Sequence, residues 1–325
     1  MKDSKLKDKI KKLIFSNLSK IQNVKSITIT GSFNQNNRIR EISDIDTIVI
    51  VDKLNKNIFE KCINSIKKIN LKKIFNEDFN LIINSSFGPL KFNDHEKNLI
   101  IHIMIYDIAG HIKHCLNSPF TCYDWERSNT YTGLKLDKIF GIKRLNLNDF
   151  LNSRRSIKGY LNDLKINKMS YRKYIFKNNN YVERKFYKKL SDNEKIEFYY
   201  HIMKFLIINF YKFHIGENKI PSTKKFKQIF LTITKNIDLY LYFRQLENYK
   251  RLKSKIKPII KTKLINEFVE KFSNYINLID KNNIKIIFIR HFKTNLNDGT
   301  FLGQGRDPEI NKNIKNNLIK NKFKY

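Results

Sequence analysis

The stretch TITGSFNQNNRIREISDIDTIVIV, residues 28–51, decides how this chain is read. An alternating run at residues 26–30 ends at Gly31-Ser32, a polar segment follows, and the chain returns as an apolar run headed by Asp44 and Asp46. Period-two alternation marks strands, and a cluster of Gly, Ser and Asn marks the turn between them. Side chains of an extended chain alternate faces. Asp44 and Asp46 therefore project together, roughly 6 to 7 Å apart at Cα, with Ile45 and Thr47 on the other side. The plain alternative is a hairpin with a polar tip, in which Asp44 caps a turn and Asp46 is solvated. Context separates this pair from an isolated Asp-x-Asp: it opens a strongly apolar strand and follows a Gly-Ser that closes the preceding one.

Outward from this stretch the periodicities are clear. Residues 5–22, KLKDKIKKLIFSNLSKIQ, put Leu6, Ile10, Leu13, Ile14 and Leu18 on one helical stripe. Residues 55–70 do the same with Ile58, Phe59, Cys62, Ile63 and Ile66. FNLIIN (79–84) and NLIIHIMIYDI (98–108) read as strands, with Gly88-Pro89 breaking the chain between them. The order helix, strand, strand, helix, strand, strand predicts an α+β fold, a small mixed sheet covered by helices. From residue 146 to 280 apolar and aromatic residues recur at helical intervals, as in IEFYYHIMKFLIINFYKF (196–213), with few strand signals. A last strand-like run, IKIIFIRH, begins at Ile284. The expected division is 1–145, a catalytic domain; 146–280, a mostly helical domain; and 284–325, a short incomplete α/β segment.

Composition bounds the partners. Of 325 residues, 64 are Lys or Arg against 30 Asp or Glu, a net charge of +34. Such an excess attracts nucleic acid, anionic membrane or phosphorylated substrates. Here it runs the whole length together with abundant Asn and Ile, as a bias toward A/T-rich codons would produce, so a nucleic-acid partner is compatible with the charge but not established by it. Three cysteines, Cys62, Cys115 and Cys122, are too few and too irregular for a disulfide framework, which points to a reducing compartment. No apolar run approaches the ~18 residues of a membrane span, and the basic N-terminus lacks an apolar core. The expectation is a soluble, cytoplasmic protein with no membrane partner.

Two carboxylates on one face repel each other unless a cation lies between them. Mg²⁺ suits such a pair, because it takes hard oxygen ligands and, in two-metal sites, bridges the attacking and leaving oxygens of phosphoryl transfer. Gly31, without a Cβ, lets backbone N–H groups approach a triphosphate, and the Ser32 hydroxyl donates to it.

Gly-Ser after the first strand and Asp-x-Asp on the next resemble the nucleotidyltransferase superfamily of DNA polymerase beta. The resemblance covers roughly residues 20–140, with YTGLKLDKIF (131–140) similar to the segment after the sheet in smaller members. It implies that Gly31 and Ser32 hold the phosphates of an NTP, that Asp44 and Asp46 bind Mg²⁺, and that an acceptor hydroxyl or amine attacks the α-phosphorus as pyrophosphate leaves. The family usually carries a third carboxylate in the middle of a later strand. In NLIIHIMIYDI that position is His102, and the carboxylate present is Asp107, near the strand end. His102 reads as a base, a ligand or a satisfied sheet histidine; Asp107, five residues on, faces the opposite side of a regular strand.

Other clusters are less specific. His111, His114, Cys115 and Cys122 are soft ligands without the paired spacing of structural zinc. The segment 118–128, around the single Trp125, reads as packing and local ion pairs; Ser222 or Thr223 reads as a helix cap, with Lys224 and Lys225 on a solvated face.

A second signature lies at IIFIRHFKTNLNDGTFLGQGRDPEI (286–310). Arg290-His291 at a strand end, Thr294, Asn297, Gly303-Gln304-Gly305 and Asp307-Pro308 resemble the start of the histidine phosphatase family related to phosphoglycerate mutase. The resemblance implies His291 as phosphoryl acceptor and Arg290 as phosphate binder, although Phe292 stands where the family carries Gly. The segment is too short for that family's sheet, so Arg290, His291 and Asn297 are expected to be vestigial.

The leading expectation is a Mg²⁺-dependent nucleotidyltransferase acting from an NTP on a small-molecule, RNA or protein acceptor. The alternatives are a catalytically lapsed nucleotide- or RNA-binding module, and a phosphohydrolase whose domain is truncated.

Overall fold

A computed structural model of the chain describes residues 2–35, 44–71, 74, 80–88, 98–251 and 257–283. It divides into Met1–Asn277 and Leu278–Tyr325, and of the second unit only residues 278–283, the end of a helix, are described. The first unit carries the architecture below.

Helix α1 (Lys2–Leu18) buries Ile10, Ile14 and Leu18, the stripe read from the sequence. Strand β1 (Val24–Thr30) leads through Gly31 into a single-turn helix α2 (Ser32–Gln35), and β2 (Ile45–Val51) follows. Helix α3 (Lys56–Lys67) starts at Asn55, whose side chain accepts from the Ile58 N–H, and buries Ile58, Cys62 and Ile66. Strands β3 (Asn80–Asn84) and β4 (Asn98–Asp107) come next, then helices α4 (Ile108–Asn117) and α5 (Pro119–Trp125) and a short strand β5 (Tyr131–Gly133). The sheet runs β3-β4-β2-β1-β5, with β1 antiparallel to β2 and β5, and β4 parallel to β2 and β3. This is the mixed sheet with flanking helices that the order of elements predicts. Central β2 and β4 are nearly continuous apolar runs because both of their faces are covered. Ile27, Ile29, Ile45, Val49, Ile101, Ile103 and Ile105 meet α1 and α3 in one core.

The later region is mostly helical: α6 (Leu136–Ile139), α7 (Leu147–Asn152), α8 (Ile157–Lys165), α9 (Asp192–Ile215), α10 (Thr223–Thr234), α11 (Ile237–Arg251) and α12 (Thr262–Asn283). Helix α9 opens with a reciprocal Ser191–Glu194 capping box, and Ser222 caps α10 as expected. Aromatic side chains, among them Phe230, Phe243, Phe268 and Phe272, interleave these helices.

One element departs from the helical expectation. Residues Lys168–Lys177 and Asn180–Lys189 form a regular antiparallel hairpin, β6 and β7. Its turn is Asn178-Asn179, both with positive φ (46° and 67°), the combination that a type I′ turn demands and that Asn tolerates. Alternation along β6 and β7 is blurred because Lys and Arg occupy both faces. The hairpin docks on the first sheet's side of the molecule. Phe87 and Arg172 exchange both backbone hydrogen bonds, at 2.7 and 2.9 Å, while Tyr174 packs edge-on against Phe59 and Phe87.

Among the described residues no helix is long and apolar enough to cross a membrane. Ile105 on β4 is fully buried at the centre of the core, so Ile105→Ala is expected to lower unfolding stability by about 2–5 kcal/mol in a urea titration.

Candidate functional site

Strand register assembles the site. Thr30 pairs with Asp46 across β1 and β2, and Asp46 pairs with His102 across β2 and β4. The corner after Thr30, Asp46 near the start of β2 and His102 in the middle of β4 thus lie side by side across the three central strands. Gly31 has φ +78°, in the left-handed region. A Cβ there would stand 2.5 Å from Asp46 Oδ2, so both the backbone conformation and the close approach of the carboxylate require glycine. The Asn34 amide holds the corner by donating to the Ile29 carbonyl at 2.7 Å, and the Ser128 hydroxyl donates to the same carbonyl at 2.6 Å. Ser32, half-buried, is the residue immediately after the corner.

Asp44 and Asp46 are half-buried and His102 is buried; one potential ligand atom from each lies within 4.8 Å of the others. Among the described residues this is the group with metal-ligating spacing. His102 Nδ1 lies 2.9 Å from Asp46 Oδ1, and Nε2 lies 2.6 Å from the Ser86 carbonyl. Both ring nitrogens face acceptors, which only the doubly protonated imidazolium satisfies. Burial by itself lowers the imidazole, but the Asp46 hydrogen bond, the Asp46 and Asp44 charges and the Ser86 carbonyl outweigh it, so its pKa is raised. In that form His102 neither ligates a cation nor accepts a proton. It pins one oxygen of Asp46 and leaves the other turned toward the Gly31 corner. The Asp44 and Asp46 oxygens remain as a hard donor set that fits a divalent cation.

Asp107, the other sequence candidate for a third carboxylate, is not brought to this group. It lies opposite Val51 on β4, five residues from His102 and so roughly 16 Å along the strand. There it caps α4, accepting from the Gly110 N–H at 2.7 Å and from the Tyr181 hydroxyl at 2.8 Å. Arg290, His291 and Asn297 lie outside the described residues.

His111, His114 and the two cysteines form a packed cluster. His114 stacks on Trp125 (ring centroids 5.1 Å, planes 9° apart), and Cys115 Sγ lies 3.5 Å from His111 Nε2. Burial and the neighbouring Arg172, Arg154, His111 and Arg155 charges push His114 well below its ordinary pKa. Around Trp125, Lys212 donates to Asp124 at 2.5 Å and Glu126 pairs with Arg127, as local ion pairs. Sequence reading missed the Ser86 carbonyl as the partner of His102. The signal was the short polar segment Asn84-Ser85-Ser86 at the end of β3, where the Asn84 side chain accepts from the Ser86 N–H and hydroxyl and so orients that turn.

Residues 9–103 match the family model of the nucleotidyltransferase domain, a span that contains Gly31, Ser32, Asp44, Asp46 and His102. The match supports nucleotidyl transfer as the reaction class and a nucleotide as substrate; it does not reach residues 284–325, for which no comparison supports the expected histidine phosphatase segment. No curated protein matches the chain.

Gly31→Ala is expected to cost about 1–3 kcal/mol in chemical unfolding, because the left-handed backbone and the Asp46 contact are both violated. The Asp46–His102 pair adds a pH dependence. With the folded pKa of His102 raised above its ordinary 6.5, its stabilisation is complete below that value and is lost as pH climbs through the folded one. Melting temperatures of the wild type and His102→Gln, measured in chelator, should therefore converge as pH rises above 6.5, each tenfold change in proton affinity being worth about 1.4 kcal/mol.

Proposed function

We propose that the chain is a metal-dependent nucleotidyltransferase that moves a nucleoside monophosphate from an NTP to an acceptor and releases pyrophosphate. The observation that carries this reading is the convergence of the Gly31 corner with Asp44 and Asp46 inside the segment that matches the domain. Asp44 and Asp46 would hold Mg²⁺, as the hard oxygen donor set favours. Held by these carboxylates, the ion would supply positive charge against the triphosphate. Gly31 leaves room for phosphate oxygens beside backbone N–H groups, and Ser32 donates its hydroxyl to them. His102 acts as a positioning residue: it fixes the rotamer of Asp46 and offsets part of the like-charge repulsion between the two carboxylates. The acceptor's oxygen or nitrogen forms a new bond to the α-phosphorus and gives its proton to solvent, and the bond from the α-phosphorus to the bridging oxygen breaks, that oxygen leaving on pyrophosphate. Residues 1–145 supply this chemistry and 146–280 flank it. A small molecule, an RNA end or a protein side chain serves as acceptor, in the reducing cytoplasmic setting that the free Cys62, Cys115 and Cys122 suit.

A second reading, a module that binds nucleotide without turnover, is favoured by one observation: His102, with both nitrogens engaged, stands in register with Asp46 where a third carboxylate would act as base.

Incubation with each labelled NTP, Mg²⁺ and a pool of metabolites or RNA decides between them. Pyrophosphate release that falls at least about 100-fold in Asp44→Ala and Asp46→Ala is the expected result. Tight NTP binding with no release in any pool would establish the second reading, and release unchanged in both variants would remove the first.

A further inference from the structure

Three guanidinium groups stand on the flank of the site away from Gly31. Arg154 and Arg155 lie between α7 and α8, and Arg172 is on β6, anchored by its two-way backbone pairing with Phe87. Phe87 directly follows Ser86, whose carbonyl accepts from His102. Arg154 and Arg172 lean on a single carboxylate, Glu183, at 3.0 and 3.1 Å, and Arg154 Nη1 is buried without a hydrogen-bond partner. Arg155 has neither an ion pair nor a hydrogen bond among the described residues. Its Nη2 lies 3.5 Å from where a Cβ on Gly88 would stand, just beyond the Ser86-Phe87 segment.

Arg155 also has φ +56°, a left-handed conformation that a non-glycine residue adopts only under constraint. Burial pushes its guanidinium below the ordinary range, partly countered by Tyr160, Asp163 and Asp46. A half-buried cation that forms no ion pair, on a left-handed backbone, points to function rather than to stability. Arg154 and Arg172 share Glu183, while Arg155 feels the Asp163 and Asp46 charges without forming an ion pair with either, which leaves a guanidinium that an incoming anion would engage.

The sheet order says which anion. Gly31 directly follows β1, on one flank of Asp46, whereas His102 on β4 and the Ser86–Gly88 segment after β3 lie on the other. In-line displacement places the attacking atom opposite the leaving pyrophosphate. If the NTP phosphates lie against Gly31-Ser32, the Arg155 flank receives the acceptor. We infer that Arg155, backed by Arg154 and Arg172, is the receptor for a phosphate monoester carried by a small-molecule acceptor, an assignment that rests on the nucleotidyl-transfer reading. One unpaired planar guanidinium matches a terminal phosphate in bidentate fashion and suits a compact dianion better than a polyanion track. None of these three arginines falls within residues 9–103.

The test needs no turnover. Calorimetric titration of the full chain with β-glycerophosphate, in the presence of Mg²⁺ and saturating α,β-methylene-ATP, should show a site that Arg155→Met weakens at least about tenfold. Lys177→Met, which removes the same charge from the exposed hairpin end, should bind like the wild type, and Arg155→Met should keep wild-type affinity for the ATP analogue. The melting temperature of Arg155→Met should hold or rise, since the substitution removes a half-buried cation that forms no ion pair. The assignment is overturned if Arg155→Met weakens the analogue instead, which would make Arg155 a nucleotide-phosphate ligand. Equal losses in Lys177→Met, or a melting temperature that falls by several degrees, would also overturn it, as would preferential displacement by a phosphodiester oligonucleotide. Should the wild type fail to bind the analogue, the nucleotidyl-transfer reading fails, while titration without analogue still reports on Arg155.

Discussion

Asp46 is held from two sides, and the organisation of the site depends on that grip. One carboxylate oxygen accepts from His102 at 2.9 Å; the other faces a backbone corner that comes so close that only Gly31 fits. These contacts join the end of β1, the start of β2 and the middle of β4, the three strands that also hold the apolar core against α1 and α3. Packing and site geometry are therefore coupled. A shift of one residue in the pairing of β2 would turn Asp46 and its apolar neighbours to opposite faces at once.

His102 resolves a conflict that two half-buried carboxylates create. Their repulsion is compensated by an imidazolium whose far nitrogen is satisfied by the Ser86 carbonyl, so no polar atom of the ring is stranded. The Ser86 segment is in turn tied to β6 through Phe87, and Tyr181 of the same hairpin donates to Asp107 at the far end of β4. The hairpin thus braces the strand that carries His102 from two points. It also brings Arg172 and Glu183 beside residues that begin nearly ninety positions earlier in the chain, and it is through this bracing that the later region reaches the site.

Much of this was legible in the residues. The stripes of α1 and α3 and the alternating or continuous apolar runs of β1 to β4 are direct consequences of burying one face of a helix or both faces of a sheet. The opposite facing of His102 and Asp107 followed from strand parity alone, and the structure gives Asp107 a capping role instead of a place beside Asp46. The hairpin was obscured because lysines and arginines on both faces of β6 and β7 mask the period of two, while its Asn178-Asn179 turn, a real signal, sat inside a chain rich in asparagine.

By itself the sequence determined the order of elements from α1 to β4, the same-face placement of Asp44 and Asp46 and the glycine that a tight corner requires, since these follow from local periodicity and from the absence of a Cβ. Tertiary structure decided which neighbours those residues meet. Register across β2 and β4 set His102 against Asp46, the turn after β3 offered the Ser86 carbonyl, and Glu183 of the docked hairpin drew Arg154 and Arg172 together. Hydrogen bonds and charges at long sequence separation leave no periodic trace, so these contacts exist only once the chain has folded.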